Sequence, residues 1–403
     1  MAVTLGFAEP VDAAFGSEQF PSKIGGRARW LDPRRPLASA QAQCDECGRT
    51  LALLAQVYAP EDAPPSAFHR TLYVFVCSNG ACHRAAAARC MRVFRAQMAE
   101  RNDVYEERRR ADENGSGGGG GSGSDNDDDD DGVEWRMRPQ VRAAPTCVVC
   151  GLAGGKACSG CSRRTYCGRA HQVADWAAGH KAQCGGAQAA DSAAHGQRLA
   201  RMAFPEHVLV TEEEAEGECD GEADGDDASG DDASDDEDVA ATALVPAHGE
   251  AAEDSQVEVD AAFLAFQRRM QAEPAQVLRY ARSAATAAQR TPLLVSDTGA
   301  PAPGDVPACE RCGAPREFEM QVMPQMLNHL ALDAADALSV DWGTLLVYTC
   351  ARSCDVAAEH CAGYAREVVW RQNFSAQGIG EKFVRAMHGD DSGITRQIES
   401  LAI

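Results

Sequence analysis

The chain has 403 residues and 44% hydrophobic content, enough for two or three domains around a sizeable core, which excludes a wholly disordered polypeptide. Its formal net charge of -23, read as an average, describes a strongly acidic protein with little affinity for nucleic acid. The average conceals a segregation: nine acids lie between Ala111 and Glu134 and nineteen between Glu212 and Asp254, with no Lys or Arg in either stretch, and the remainder holds 33 acids against 38 bases, a net of +5.

In chain order, residues 1 to 110 carry mixed apolar runs. Leu72 to Val76 and the run near Val93 are β-branched and aromatic and read as strands. The charged stretch Glu100 to Glu113 reads as a helix end. Residues 111 to 144 contain a Gly/Ser run and Asp127 to Asp131, with nothing apolar to bury from Asn114 to Gly132, and read as a solvated linker. A compact Cys/His block fills 145 to 186. Residues 187 to 256 form a connector with the second acidic tract, which burial cannot order. Residues 257 to 375 resume an ordered pattern: Phe263, Phe266, Met270, Val277 and Tyr280 are spaced for helices broken at Pro274, and Leu345 to Thr349 and the run near Val369 read as strands. The tail, 376 to 403, reads as carrying a short helix over Glu381 to Met387. The fold class expected is α+β with a strand-rich core.

No apolar leader follows Met1 and no run of eighteen apolar residues occurs, so neither a secretory signal nor a membrane span is expected. In a reducing cytosol or nucleus, sixteen of the 17 cysteines falling in three clusters read as metal ligands rather than disulfides. The central cluster has the sharpest spacing. Cys147 and Cys150, Cys158 and Cys161, Cys167 and His171, His180 and Cys184 supply the eight thiolate and imidazole donors that two tetrahedral zinc ions need. Alternate pairs serve one ion in cross-braced modules, which groups Cys147, Cys150, Cys167 and His171, and then Cys158, Cys161, His180 and Cys184. No position is left open for a catalytic water. The competing reading is a set of buried or redox-active thiols. A block of about 40 residues is too small to fold on apolar burial alone, so metal substitutes for a core.

The outer clusters repeat one arrangement. Cys44, Cys47, Cys77 and Cys82, and again Cys309, Cys312, Cys350 and Cys354, place a Cys-x-x-Cys knuckle ahead of a strand that ends on the third cysteine. Gly48 and Gly313 follow the knuckles where positive φ is needed. The halves therefore read as copies, each able to hold one zinc. The plainer alternative is that Cys77 and Cys350 are buried strand residues. Cys90, Cys219 and Cys361 have no evident partners.

The central block resembles a MYND finger, through Tyr166-Cys167, Asp175-Trp176 and His180-Lys181, with His171 where many such fingers have Cys. The ordered chain as a whole resembles the programmed cell death protein 2 family and its fungal relative. That likeness rests on Leu5-Gly-Phe-Ala, Ser22-Lys-Ile-Gly-Gly26 with Trp30-Leu31, Val57-Tyr-Ala-Pro60, Ala67-Phe-His-Arg70 and Arg92-Val-Phe-Arg95 in the first half. In the second it rests on Phe204-Pro-Glu206, Glu273-Pro274 with Val277 to Tyr280, Cys309 to Gly313, Gln321 to Gln325 with Leu327 to Leu330, and Asp341-Trp-Gly343. Ala28 and Leu294 depart from it where Pro and Trp are usual.

The resemblance implies a strand-rich duplicated fold and a dedicated chaperone of a newly made small-subunit ribosomal protein, the universal S-five family member called S-two in eukaryotes, acting in 40S assembly. The acidic tracts suit screening of a basic client, or are inert solvated linkers. Three other functions stay open. A MYND-containing methyltransferase needs a SET domain, and no Gly-rich cofactor loop or matching signature occurs; Asn328-His329 reads as a structural pair. A transcriptional co-regulator would dock proline-containing peptides. Direct nucleic-acid binding has only Arg34-Arg35, Arg108 to Arg110 and Arg163-Arg164 behind it. No enzyme activity is expected.

Overall fold

A computed structural model of the chain describes residues 2–12, 15, 19–84, 88–109, 133–185, 203–215, 260–332, 339–356 and 363–374. Its strands are β1 (Thr4–Pro10), β2 (Lys23–Ile24), β3 (Ala52–Tyr58), β4 (His69–Val76), β5 (Met91–Met98), β6 (Tyr105–Arg109), β7 (Val133–Met137), β8 (Lys156–Ala157), β9 (Thr165–Tyr166), β10 (His207–Glu213), β11 (Leu278–Tyr280), β12 (Arg316–Val322), β13 (Thr344–Cys350) and β14 (Ala365–Gln372). Three α-helices join them among the described residues: α1 (Arg169–Asp175), α2 (Lys181–Gln183) and α3 (Ala261–Ala272). The expected strand-rich core is present, and helices are few and short.

Ten strands close into one antiparallel barrel in the order β1-β10-β2-β3-β4-β5-β14-β13-β12-β11. The order is informative. β1, at the start of the chain, pairs with β11, whereas β10, from beyond the Cys/His block, pairs with β2. Closure removes free sheet edges, and here it needs strands from both ends of the sequence. β3 to β5 and β12 to β14 form matching meanders, each with a bulge: the β3 ladder skips Leu54 and the β12 ladder skips Glu319.

β4 is buried along its whole length, without the usual alternation. Successive side chains of a strand point to opposite faces; Arg70, Leu72 and Val74 look into the lumen, and Tyr73 lies against Trp30, whose ring centroid is 4.9 Å away. The lumen is partly charged. Arg70 on β4 meets Glu319 on β12, and Arg282, Glu61, Thr349 and Ser353 extend the network. Burial alone would raise the Glu319 carboxyl; Arg70 first and Arg282 after it bring it down to about 2. Neighbouring Arg95 holds Glu367, which also receives Arg316.

The structure corrects three local expectations. The helical pattern across 260–282 ends at Ala272, two residues before Pro274, and Leu278 to Tyr280 form a strand between β1 and β12 rather than a second helix. A short apolar run at that spacing fits either form, and the open edges of β1 and β12 decide it. The described part of Glu100 to Glu113, residues 100–109, is no helix end: Tyr105–Arg109 pairs with Val133–Met137 as a ribbon, and Asn102 caps the turn into it. The connector 187–256 carries β10. Cys219, Cys361, most of both acidic tracts and the Glu381 to Met387 segment lie outside the described residues.

Candidate metal centres

Each Cys-x-x-Cys pair sits on a tight turn of one design. In the first, the Cys44 amide donates to Arg49 and the Gly48 amide to Cys44; in the others the pairs are Cys147 with Leu152 and Gly151, Cys158 with Arg164 and Ser162, and Cys309 with Ala314 and Gly313, all between 2.7 and 2.9 Å. The residue after the second cysteine is left-handed in all four, with φ of 67° at Gly48, 77° at Gly151, 54° at Ser162 and 70° at Gly313. Such a turn points both thiols to one side, and glycine adopts it without strain.

The structure gathers the sixteen sequence-identified residues into four quartets, each with its donor atoms within 4.8 Å of one another: Cys44, Cys47, Cys77 and Cys82; Cys147, Cys150, Cys167 and His171; Cys158, Cys161, His180 and Cys184; Cys309, Cys312, Cys350 and Cys354. The separations identify the chemistry. A disulfide brings sulfurs to about 2.05 Å, but the Sγ atoms of Cys47 and Cys77, Cys150 and Cys167, Cys158 and Cys184, and Cys309 and Cys354 are 3.7 Å apart, and those of Cys312 and Cys350 3.5 Å. Sulfur at about 2.3 Å from a tetrahedral Zn²⁺ implies an edge of about 3.8 Å. In the finger, His171 offers Nδ1 at 3.2 Å from Cys167 and 3.5 Å from Cys147, whereas His180 offers Nε2 at 3.3 Å from Cys158 and 3.6 Å from Cys161. The donor sets fit zinc.

Among the thiols of the finger, Cys147 and Cys158 are biased toward the ligating state and Cys150 and Cys184 away from it. Hydrogen bonding with His180 holds Cys158 down at about 6, and shared hydrogen bonds with Cys150 and Cys167 hold Cys147 well below the thiol range. Cys150 is pushed up by the same neighbours, because a second thiolate meets the first; a dication cancels that repulsion. A buried acid braces the turns that carry the ligands: Asp175 accepts from the Tyr166 hydroxyl at 2.7 Å and from Arg164 at 3.0 Å, tying α1 to β9 and the knuckle before it.

The finger is fastened to the barrel. Trp30 Nε1 donates to the Gly151 carbonyl at 2.8 Å, and the Ala153 amide to Leu37 at 2.9 Å. Gly151 has no room for a side chain, since a Cβ there would lie 2.9 Å from that of Arg27. Cys147, Val149, Leu152 and Tyr166 join the main hydrophobic core. The last quartet is held to the opposite half: Arg95 donates to the Cys354 carbonyl at 3.0 Å and Gln97 to the Ser353 carbonyl at 2.9 Å. Sequence reasoning missed both fastenings. Trp30 and Gln97 stood in recognised segments, and nothing in one sequence says what a tryptophan touches.

Cys90 is buried outside the quartets, its carbonyl accepting from the Cys77 amide at 2.9 Å. Of the basic pairs weighed for nucleic acid, Arg34 is bonded to Asp32 and Asp103 and Arg164 to Asp175. His329 stacks edge-on with His207, centroids 5.2 Å apart, in a 3-10 turn over Pro324–His329.

Three family models match the chain: the programmed cell death protein 2 N-terminal domain over residues 2–112, the MYND finger over 147–184, and the programmed cell death protein 2 C-terminal putative domain over 260–373. Mouse programmed cell death protein 2 is 35% identical over 377 residues, covering 92% of this chain and 96% of its own. Human programmed cell death protein 2-like is 28% identical over 339 residues, covering 83% and 85%. A fission yeast protein named probable 20S rRNA accumulation protein 4 is 33% identical over 133 residues, 30% of each chain. No solved structure matches at comparable significance. With zinc-type quartets in both halves and a MYND finger between them, the chain belongs to the programmed cell death protein 2 family.

Proposed function

We propose that the protein works by binding and escorting another protein, a newly made small-subunit ribosomal protein of the universal S-five family (eukaryotic S-two), in support of 40S subunit assembly. The observation that carries this reading is kinship with a relative named for 20S rRNA accumulation, joined to a ligand inventory in which each donor is matched by three others. Closed tetrahedral shells organise structure and leave no position for a substrate or water, so the reading has no enzymatic step. One zinc fills each quartet, two in the finger and one in each outer half. The protein acts in the cytoplasm and also in the nucleus, with no membrane attachment.

Residues 1–110 and 257–375 are, in this reading, two copies of one unit. Cys44, Cys47, Gly48 and the bulge residue Leu54 each precede Cys309, Cys312, Gly313 and Glu319 by 265 residues. Lys23 opposite Gln56 corresponds to Arg279 opposite Gln321. The copies have exchanged their leading strands, β1 lying beside the second and β10 beside the first.

A second reading, a co-regulator or scaffold that docks proline-containing peptides, is favoured by Val173 and Trp176 on the finger, 55% and 41% exposed and three residues apart. A tagged pulldown from native cells in low salt, with mass spectrometry, separates the two. One stoichiometric small-subunit ribosomal protein is expected; chromatin co-repressors without any ribosomal protein would replace the first reading by the second.

A further inference from the structure

We infer that Arg95, on β5 of the first half, is a positioning residue for the metal of the last quartet, completing that site from the opposite end of the sequence. The inference rests on the reading that Cys309, Cys312, Cys350 and Cys354 hold one zinc ion, and adds which residue outside the quartet governs how firmly the ion is kept. Arg95 is fully buried. Its Nη1 donates to the Cys354 carbonyl at 3.0 Å, and its Nη2 donates to the Cys354 Sγ at 3.7 Å, within hydrogen-bonding range of a sulfur acceptor. That sulfur stands 3.7 Å from the Sγ of Cys309. The guanidinium therefore faces a ligand atom as well as the loop that carries it.

The loop from Cys350 to Cys354 is not left to place that sulfur alone. Ser353 has φ of 41°, left-handed for a residue with a side chain, and is fully buried. A backbone conformation of that kind persists where its surroundings impose it. Here they come largely from the first half: Gln97 donates to the Ser353 carbonyl at 2.9 Å, Glu61 accepts from the Ser353 hydroxyl at 2.6 Å, and Arg95 takes the carbonyl of the next residue. Arg282, from the second half, adds a bond to the same hydroxyl at 3.1 Å.

Charge points the same way. Four thiolates around Zn²⁺ leave negative charge in excess, and burying such a centre calls for compensation. Glu367, whose side chain is fully buried, receives Arg95 at 2.8 Å and Arg316 at 2.9 Å, so two guanidinium groups share one carboxylate and positive charge is left over. Arg316 also donates to the Pro307 and Ala308 carbonyls, both at 2.7 Å, just ahead of Cys309. The trio thus reaches both ends of the quartet, Arg316 at its first ligand and Arg95 at its last. Arg95 stands opposite Ala365, where the register joining β5 to β14 ends, and parting of those strands would withdraw it from Cys354. The closed barrel therefore keeps this ion more firmly than its second half would alone.

The test uses the full-length, zinc-loaded protein and its variants Arg95→Met, Arg95→Lys and Cys309→Ser. Zinc transfer to excess chelator is followed by native mass spectrometry, and the loaded proteins are treated briefly with iodoacetamide and mapped by peptide mass spectrometry. Arg95→Met is expected to release one ion about tenfold faster than the parent. It should also raise alkylation of Cys354 relative to Cys312, the exposed ligand of the same quartet, because a thiolate relieved of a donor and of a nearby cation is the better nucleophile. A loosened loop or a lost ion would raise both alike. Glu367 keeps Arg316 in this variant, and Arg95→Lys, which retains the charge without the two-pronged donor, should fall between and serves if the Met variant does not fold. Unchanged release in the Arg95 variants, or alkylation that rises equally at Cys354 and Cys312, overturns the inference. Cys309→Ser separates its failure from that of the metal reading. An unchanged zinc count there means that the quartet holds no ion and both fall; loss of one ion, with Arg95 variants that behave as the parent, leaves the zinc site standing and Arg95 without this role.

Discussion

Arg70 and Glu319 stand 249 residues apart in sequence and meet inside the barrel through two hydrogen bonds of 2.5 and 2.6 Å. Neither side chain is exposed to solvent. The pair crosses from one meander to the other, so it reports directly on whether the halves are assembled.

Replacing Glu319 by Ala should destabilise the barrel by about 3–5 kcal/mol, because the Arg70 guanidinium stays buried without its counter-charge. Arg282, with Glu61 still beside it, should be affected less. Urea unfolding of the zinc-loaded protein checks this; a loss under about 1 kcal/mol would mean that the lumen admits water.

Acid should weaken the fold in two stages. Burial holds His69 at about 4 against an ordinary 6.5, so between those values the unfolded chain takes up a proton that the folded chain does not. Its contribution is complete above pH 6.5 and is lost as pH falls through about 4. Glu319, held at about 2 against 4.5, acts in the same direction over the lower window. His69→Gln should flatten the upper stage and leave the lower one, read from midpoints of chemical unfolding at stepped pH.

Gly25→Ala should be among the most damaging single-methyl changes in the chain. Gly25 has φ of 62°, and a Cβ there would sit 2.0 Å from the Pro205 carbonyl oxygen. Backbone on backbone cannot yield as a side-chain tip can, and a cost of roughly 2–4 kcal/mol is expected. The affected contact joins β2 to the entry of β10, so enhanced proteolysis near Phe204 is the accompanying sign.

Metal loss should be felt beyond the finger. Cys147→Ser should lower zinc content by one ion by native mass spectrometry and also red-shift tryptophan fluorescence, since Trp30 is buried and bonded to Gly151 beside that quartet. Cys309→Ser should lower the count equally with little change at Trp30, because its quartet is fastened through Arg95 and Gln97.

The quartets were legible because ligand spacing is a local property: a Cys-x-x-Cys turn needs few residues and one tolerant position, as Gly48, Gly151 and Gly313 show. The strands of the two meanders were legible for the same reason, being dense in β-branched and aromatic residues. β10 escaped notice because His207–Glu213 ends in two acids and stands beside an acidic tract, so its pattern merges with the linker. β11 was misread because three residues carry no period of their own. Glu319 stands in a strand that also carries Arg316, Glu317 and Gln321, so its burial is not marked locally, and its partner Arg70 lies in the other half of the sequence.

The late positions of β10 and β14 in the sequence set a timetable for synthesis. By the time Met98 has left the ribosome, β1 to β5 have all emerged, yet β1 and β2 still lack β10, and the far edge of β5 waits for β14, more than 250 residues later. The finger, complete at Cys184, precedes both missing strands. The nascent chain therefore carries open sheet edges and a finished metal module together from Cys184 until β14 has emerged, and so is itself exposed to mispairing until its last strand arrives.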